Sequence, residues 1–324
     1  MAFPCPAPYR AALALSIDCD GCTARRLEEV LGYWAGDGRT PWGPALGLPV
    51  ASSMFVYSRN PAAPPQAAYL DGDREALREA WRRGWIDSLH GLGDFCAAAP
   101  CTRDLAARAF DALAADGIRL SVWTNHGGPQ NVQNLLRPGT QGDLPGSPSY
   151  LADLAAAYGI RFVWPSVLTP VVGQDREAAP AEYYGSYSDA PAGRRRLARW
   201  AHGLGSWAVR RLGVEPYPGN ALLRRAQLRD GREVLTFLRY GRWRRDTITL
   251  LPEILSASVL DRLAASRGAM VVYLHIGPSR DETPERLAAG LRTLEEVARR
   301  YRAGELWVAR TADLLARAAA ALQA

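Results

Sequence analysis

A repeated strand-then-helix rhythm constrains this chain more than any other feature. Residues 11–17 (AALALSI) form an uninterrupted apolar run, and Leu27, Val30, Leu31 and Trp34 then recur at helical spacing. Further short runs rich in Val, Ile and aromatic residues occupy 53–57, 85–89, 118–123, 160–164, 234–239, 270–274 and 306–309. Thr102 is placed to cap a helix carrying Leu105, Ala109, Phe110 and Leu113 and ended by Gly117. Thr283 followed by Pro284 opens another, carrying Leu287, Leu291, Leu294 and Val297. Strands alternating with helices demand a parallel sheet, because a parallel neighbour is reached only through a crossover. The economical fold is α/β, a (β/α) barrel of seven or eight strands in one domain spanning 1–324. The rhythm lapses over residues 173–232, which read as an insertion.

Composition narrows the setting. With 48% apolar and 22% charged residues the chain is ordinary globular protein, not disordered or fibrous. No window approaches the ~18 apolar residues of a membrane span. Residues 1–10 carry prolines and an arginine before only a short apolar run, so no secretion signal is expected and the protein reads as cytoplasmic. All 39 basic residues are arginine, and against 33 acids they leave a net charge of +6. That excess is spread along the chain, as GC-rich coding produces, and no nucleic acid partner is expected. The densest cluster, Arg194, Arg195, Arg196, Arg199, Arg210 and Arg211, is interleaved with Trp200, Leu204, Trp207 and Leu212, the pattern of an amphipathic helix with a solvated basic face.

The cysteines Cys5, Cys19, Cys22, Cys96 and Cys101 are odd in number, against a disulfide framework. A structural zinc held by Cys19, Cys22, Cys96 and Cys101 has to be weighed, but Cys19 falls inside an apolar strand pattern, and reduced thiols packed near other machinery are the expectation.

In folds of this kind chemistry gathers at the carboxyl ends of strands. The first strand ends Ser16-Ile17-Asp18-Cys19-Asp20-Gly21, where Asp18 and Asp20 can converge on one point, at a cost that a cation or a shared proton relieves. The third ends in His90 and runs on to Asp94; a helical turn there would let the pair bracket an ion. The fourth ends Trp123-Thr124-Asn125-His126-Gly127-Gly128, and a late strand ends Tyr273-Leu274-His275. Three of the four histidines thus close predicted strands, while His202 sits in the Arg-rich segment and reads as structural. Acids and imidazoles without a thiolate cluster suit a catalytic divalent ion, zinc first, with Fe2+, Co2+ or Ni2+ as substitutes. A coordinated ion can bring water to a pKa of about 7, which suits hydrolysis of an amide or ester. The sequence holds no Gly-x-Ser-x-Gly and no dinucleotide-binding glycine fingerprint after the first strand.

In order and placement, residues 16–21, 87–95, 123–128 and 273–277, closed by 306–314 (LWVARTADL), resemble the polysaccharide deacetylase family of NodB-type carbohydrate esterases. The resemblance covers residues 11–315 outside the insertion. It implies a distorted barrel, often seven-stranded, and metal-dependent removal of acyl groups from an N-acylated sugar or glycoside, a hydrolysis of a C–N bond other than a peptide bond. By the same resemblance Asp18 is the general base, Asp20 and His90 are metal ligands and His275 is the acid that protonates the leaving amine. Asp94 stands where the family has a second histidine and is retained as a ligand, with His126 the alternative should its loop bend inward. The family's Arg-x-Pro motif is absent, and Arg239 is the candidate to substitute for its arginine. Asn125 and Trp123 are further candidates for substrate contact. The competing expectation is a noncatalytic carbohydrate-binding barrel whose ligands have drifted.

Overall fold

The computed structural model describes residues 3–127, 130–176, 178, 182, 220–241 and 246–322. The first apolar run becomes β1 (Ala11–Asp18), buried along its whole length. A strand covered on both faces needs no polar alternation, which is why it reads as continuous apolar sequence. It joins β2 (Ala51–Met54), β3 (Ile86–His90), β4 (Val122–Thr124), β5 (Phe162–Trp164), β6 (Leu168–Thr169), β7 (Leu223–Gln227), β8 (Glu233–Phe237), β9 (Arg239–Tyr240), β10 (Ala269–His275) and β11 (Leu306–Ala309). These make one 11-stranded sheet in the order β6-β9-β10-β1-β2-β3-β4-β5-β8-β7, with β11 sharing an edge of β1. Every pairing is parallel except β7 with β8.

The sheet curls. β5 runs on into β6 and β8 into β9, and these two bent strands pair twice, first β5 with β8 and then β6 with β9, before Tyr240 of β9 meets Val272 of β10. The result is the expected distorted (β/α) barrel, built as a curled half-barrel with a short, irregular seam. Around it lie α1 (Ala24–Trp34), α2 (Arg74–Arg82), α3 (Arg103–Ala115), α4 (Ala152–Tyr158), α5 (Leu251–Ile254), α6 (Ala257–Ser266), α7 (Pro284–Arg302) and α8 (Thr311–Ala321). The caps read from sequence are formed: Thr102 accepts from the Leu105 amide and Thr283 from the Arg286 amide. No described helix is long and apolar enough to cross a membrane.

Strand alternation divides the core. Leu13, Leu15 and Ile17 pack outward with Leu27, Val30, Leu31 and Trp34 of α1, while Ala12 and Ala14 join Val122, Phe162, Phe237 and Val271 on the inner face, where Leu314, Leu315 and Ala318 of α8 complete the cluster. The inner row of β1 therefore continues through Ser16 to Asp18. The parallel register sets Ala12, Ala14, Ser16 and Asp18 beside Ala269, Val271, Tyr273 and His275 of β10. Across the curl, His90, Thr124 and Trp164 pair in one rank at the ends of β3, β4 and β5. One layer of inward-facing side chains at the carboxyl ends thus becomes polar above an apolar barrel.

Two local expectations change. Residues 223–227, inside the segment read as an insertion, form β7, an antiparallel edge strand whose adjacent Arg224 and Arg225 point to opposite faces, so its sequence (LRRAQ) shows no apolar run. The rest of that segment beyond Arg176, with the Arg194 cluster and His202, lies outside the described residues apart from 178, 182, 220–222 and 228–232. The third strand does not turn helically after His90. Gly91 and Gly93 take φ of +55° and +149°, and the chain leaves extended so that Asp94 pairs with Ser58.

One buried acid in the frame, Asp87 of β3, accepts a 3.0 Å hydrogen bond from the Ala312 amide at the start of α8. Burial pushes its carboxyl up to about 6, against that hydrogen bond. A raised acid favours the folded state fully below its unfolded value of 3.8, and the benefit is lost as pH rises through about 6. Urea unfolding of the native protein should therefore lose up to about 3 kcal/mol between pH 4 and 7 relative to Asp87→Asn. Parallel pH profiles for the two proteins would contradict this.

Candidate metal centre and catalytic pocket

The polar rank floors a cavity of about 480 Å³ lined by Asp18, Asp20, His90, His126, His275 and the faces of Trp164 and Tyr273. That volume lies within the range of small-molecule ligand pockets.

Asp18 is the anchor. Both of its carboxylate oxygens are held by the Arg239 guanidinium at 2.9–3.0 Å, and the two side chains are 1% and 0% exposed. Arg239 packs against a pair of rings on one side, its Cζ 4.1 Å from the Trp164 ring centroid and 5.5 Å from that of Tyr273, which lie 5.5 Å from each other. Burial alone would raise the Asp18 carboxyl, but Arg239, with His90 and His275 nearby, holds it below the usual carboxylate range. It stays ionised at the bottom of the pocket.

Asp20 lies past the strand end, one-fifth exposed, and collects three imidazoles. His126 Nε2 is 2.6 Å from Asp20 Oδ1, and His275 Nε2 and His90 Nε2 are 2.9 and 3.3 Å from Oδ2. Burial opposes ionisation here too, and His90, His126 and His275 overcome it, drawing Asp20 well below the usual range. His126 is pushed up: burial works against its charged form, but the hydrogen bond to Asp20 and the nearby acids outweigh it.

Each histidine is aimed from behind. His90 Nδ1 lies 2.8 Å from Thr124 Oγ1 and its ring stacks on Phe55, leaving Nε2 toward the acids. The His275 backbone amide and Nδ1 both reach the Asp246 carbonyl, at 2.7 and 3.1 Å. The His126 backbone is clamped by the Asn134 carboxamide, which accepts from its amide at 3.0 Å and donates to its carbonyl at 2.8 Å. Asn134, Asn131 and Gln133, all fully buried, pin the loop after β4 and bend it inward.

Two sets of three ligand atoms lie close enough to share an ion: Asp20, His90 and His126, and Asp18, Asp20 and His275. The first fits a divalent ion better. Its imidazoles turn Nε2 toward Asp20, the His90 ring held from behind by Thr124 Oγ1 and the His126 backbone by Asn134. In the second set, Asp18 has both oxygens committed to Arg239.

The remaining sequence candidates divide. Asp94 lies outside both sets; its Oδ1 is 3.6 Å from His126 Nδ1, and Oδ2 accepts from Asn60 and Gln66, because the extended Gly91-Leu92-Gly93 path carries it away from His90. Asn125 lines the pocket, fixed by Leu135, but Trp123 is fully buried core whose indole donates to Asn125 and is not part of the pocket lining. Trp164, Tyr273, Asn60 and Gln66 line the pocket and were not singled out from sequence; the first two sit in strand runs that read as core. The described thiols are all free, and none joins a cluster that could hold an ion.

No family model and no curated protein matches the chain. Among solved structures it is similar to a 4-alpha-glucanotransferase from Thermococcus litoralis, with 9% identity and a TM-score of 0.44, over 94% of this chain and 38% of that one.

The buried pair makes a direct prediction. Arg239→Met should cost roughly 3–5 kcal/mol in urea unfolding by stranding the Asp18 charge, and adding Asp18→Asn should recover much of the loss. Additive effects in the double variant would show that the two groups are not coupled.

Proposed function

We propose that this pocket is the centre of a metal-dependent hydrolase that removes an acyl group, acetyl in the simplest case, from an N-acylated sugar or glycoside, the chemistry of polysaccharide deacetylases. The observation that supports it best is the adjacency, set by strand register, of an ionised Asp18 and His275 beside the Asp20, His90 and His126 donors. A divalent ion held by those three, zinc or an iron, cobalt or nickel substitute, would supply a Lewis acid for the acyl carbonyl and lower the pKa of water.

The chain's own groups complete the hydrolysis. Asp18, held as a carboxylate by Arg239, takes a proton from the attacking water as its oxygen bonds to the acyl carbon. His275, its Nδ1 side fixed on the Asp246 carbonyl, gives a proton from Nε2 to the nitrogen as the C–N bond breaks. The products are a carboxylic acid and a free amine, so atoms and protons balance. Trp164 and Tyr273 offer flat apolar faces to a sugar ring, and Asn60, Gln66 and Asn125 offer amide partners to its hydroxyls.

A screen of N-acetylated sugars and glycosides for acetate release with added zinc, iron, cobalt or nickel tests this reading; no release in any combination would count against it. Asp18→Asn and His275→Ala should each lower kcat by ~10²–10⁴ while bound metal is retained. Asp20→Ala and His126→Ala should lose the metal in elemental analysis, and Asp94→Ala should keep it. Full turnover in Asp18→Asn would remove the proposed base.

A further inference from the structure

We propose that the pocket selects a sugar bearing an anionic group, a phosphate or a carboxylate, and that Arg137 is the residue that binds it; this rests on the sugar-hydrolase reading above. The argument is one of charge accounting around the cavity. Among its lining groups, Asp18 is neutralised by Arg239 from below, Asp20 faces three imidazoles, and Asp94 is held by Asn60 and Gln66 beside His126. Arg137 lines the same cavity, partly exposed, and no described acid pairs with it.

Several arginines hold loops through acids, Arg26 with Glu282, Arg74 with Asp116, Arg103 with Asp153 and Arg229 with Asp143, whereas Arg302 and Arg317, away from the cavity, use the carbonyls of Leu46 and Pro4. Arg137 spends one arm, Nη1, on the carbonyl of Gly127, the residue next to His126. That contact fixes the guanidinium to the loop that carries the metal-ligand candidate and leaves the rest of its planar fork for a ligand. A guanidinium fork matches a carboxylate or phosphate with two parallel hydrogen bonds, and inside a partly desolvated cavity such a pair is worth more than on an open surface. The uncharged polar side chains that also line the cavity, Asn60, Gln66, Asn125, Gln130 and Ser166, do not repel an anion.

The test compares N-acetylglucosamine with its 1-phosphate, its 6-phosphate and the corresponding uronic acid, by calorimetric titration of the metal-loaded protein with acetate release followed on the same samples. At least one anionic sugar should bind about ten-fold or more tighter than the neutral one, and that ratio should collapse toward one in Arg137→Gln and persist in part in Arg137→Lys. Arg119→Gln, on a surface turn away from the cavity, should leave the ratio intact. Which sugar gains identifies phosphate or carboxylate as the group recognised. Equal affinities, no binding of any sugar, or a preference that survives in Arg137→Gln would overturn the inference. Selective binding without acetate release would uphold the anion site and remove the deacetylase reading; acetate release without selectivity would do the reverse.

Discussion

Asp18 and Arg239 form an ion pair with no access to solvent, and the rest of the centre is arranged around it. A carboxylate so deeply placed stays charged because a guanidinium takes both its oxygens, and the guanidinium packs beside the Trp164 and Tyr273 rings. That pair joins β1 to β9 across the seam of the curl, at the point where the sheet's hydrogen bonding is thinnest. It therefore both ties the seam and places a carboxylate held below its usual range at the floor of the pocket.

A second constraint lies in the β1 and β10 register. Because the strands are parallel and in step, the same alternation that buries Ala12 against Ala269 brings Asp18 beside His275 six residues later. A slip of one residue would turn the whole inner row outward and remove the apolar floor together with the polar rank. Core and site are in this sense one specification. Asp20 escapes it, since it lies beyond the strand, and it is the group that all three imidazoles approach.

Much of the fold was legible because parallel strands covered on both faces leave a plain apolar signature, and because capping threonines mark helix starts without help from tertiary structure. The three strand-end histidines were legible for the same reason: a polar residue stopping an apolar run marks the layer where the barrel meets solvent. What sequence could not decide was set by distant contacts. The choice of His126 over Asp94 as neighbour of Asp20 turns on the path through Gly91 and Gly93 and on the buried carboxamides of Asn131, Gln133 and Asn134, none of which has a local signature. Trp164 and Tyr273 look like core because half of each is core. Trp123 looked available because it precedes a candidate site, yet alternation sends it to the opposite face. Arg239 was reached only by asking what could replace a missing arginine, and its burial depends on a pairing across 221 residues.

X-ray absorption at the metal edge of zinc- or cobalt-loaded protein tests the central claim most directly. The account predicts one ion per chain in a shell of nitrogen and oxygen only, with the outer-shell scattering of two imidazoles, and no bound ion in His126→Ala. A sulfur-containing shell, or no ion retained after dialysis, would contradict it.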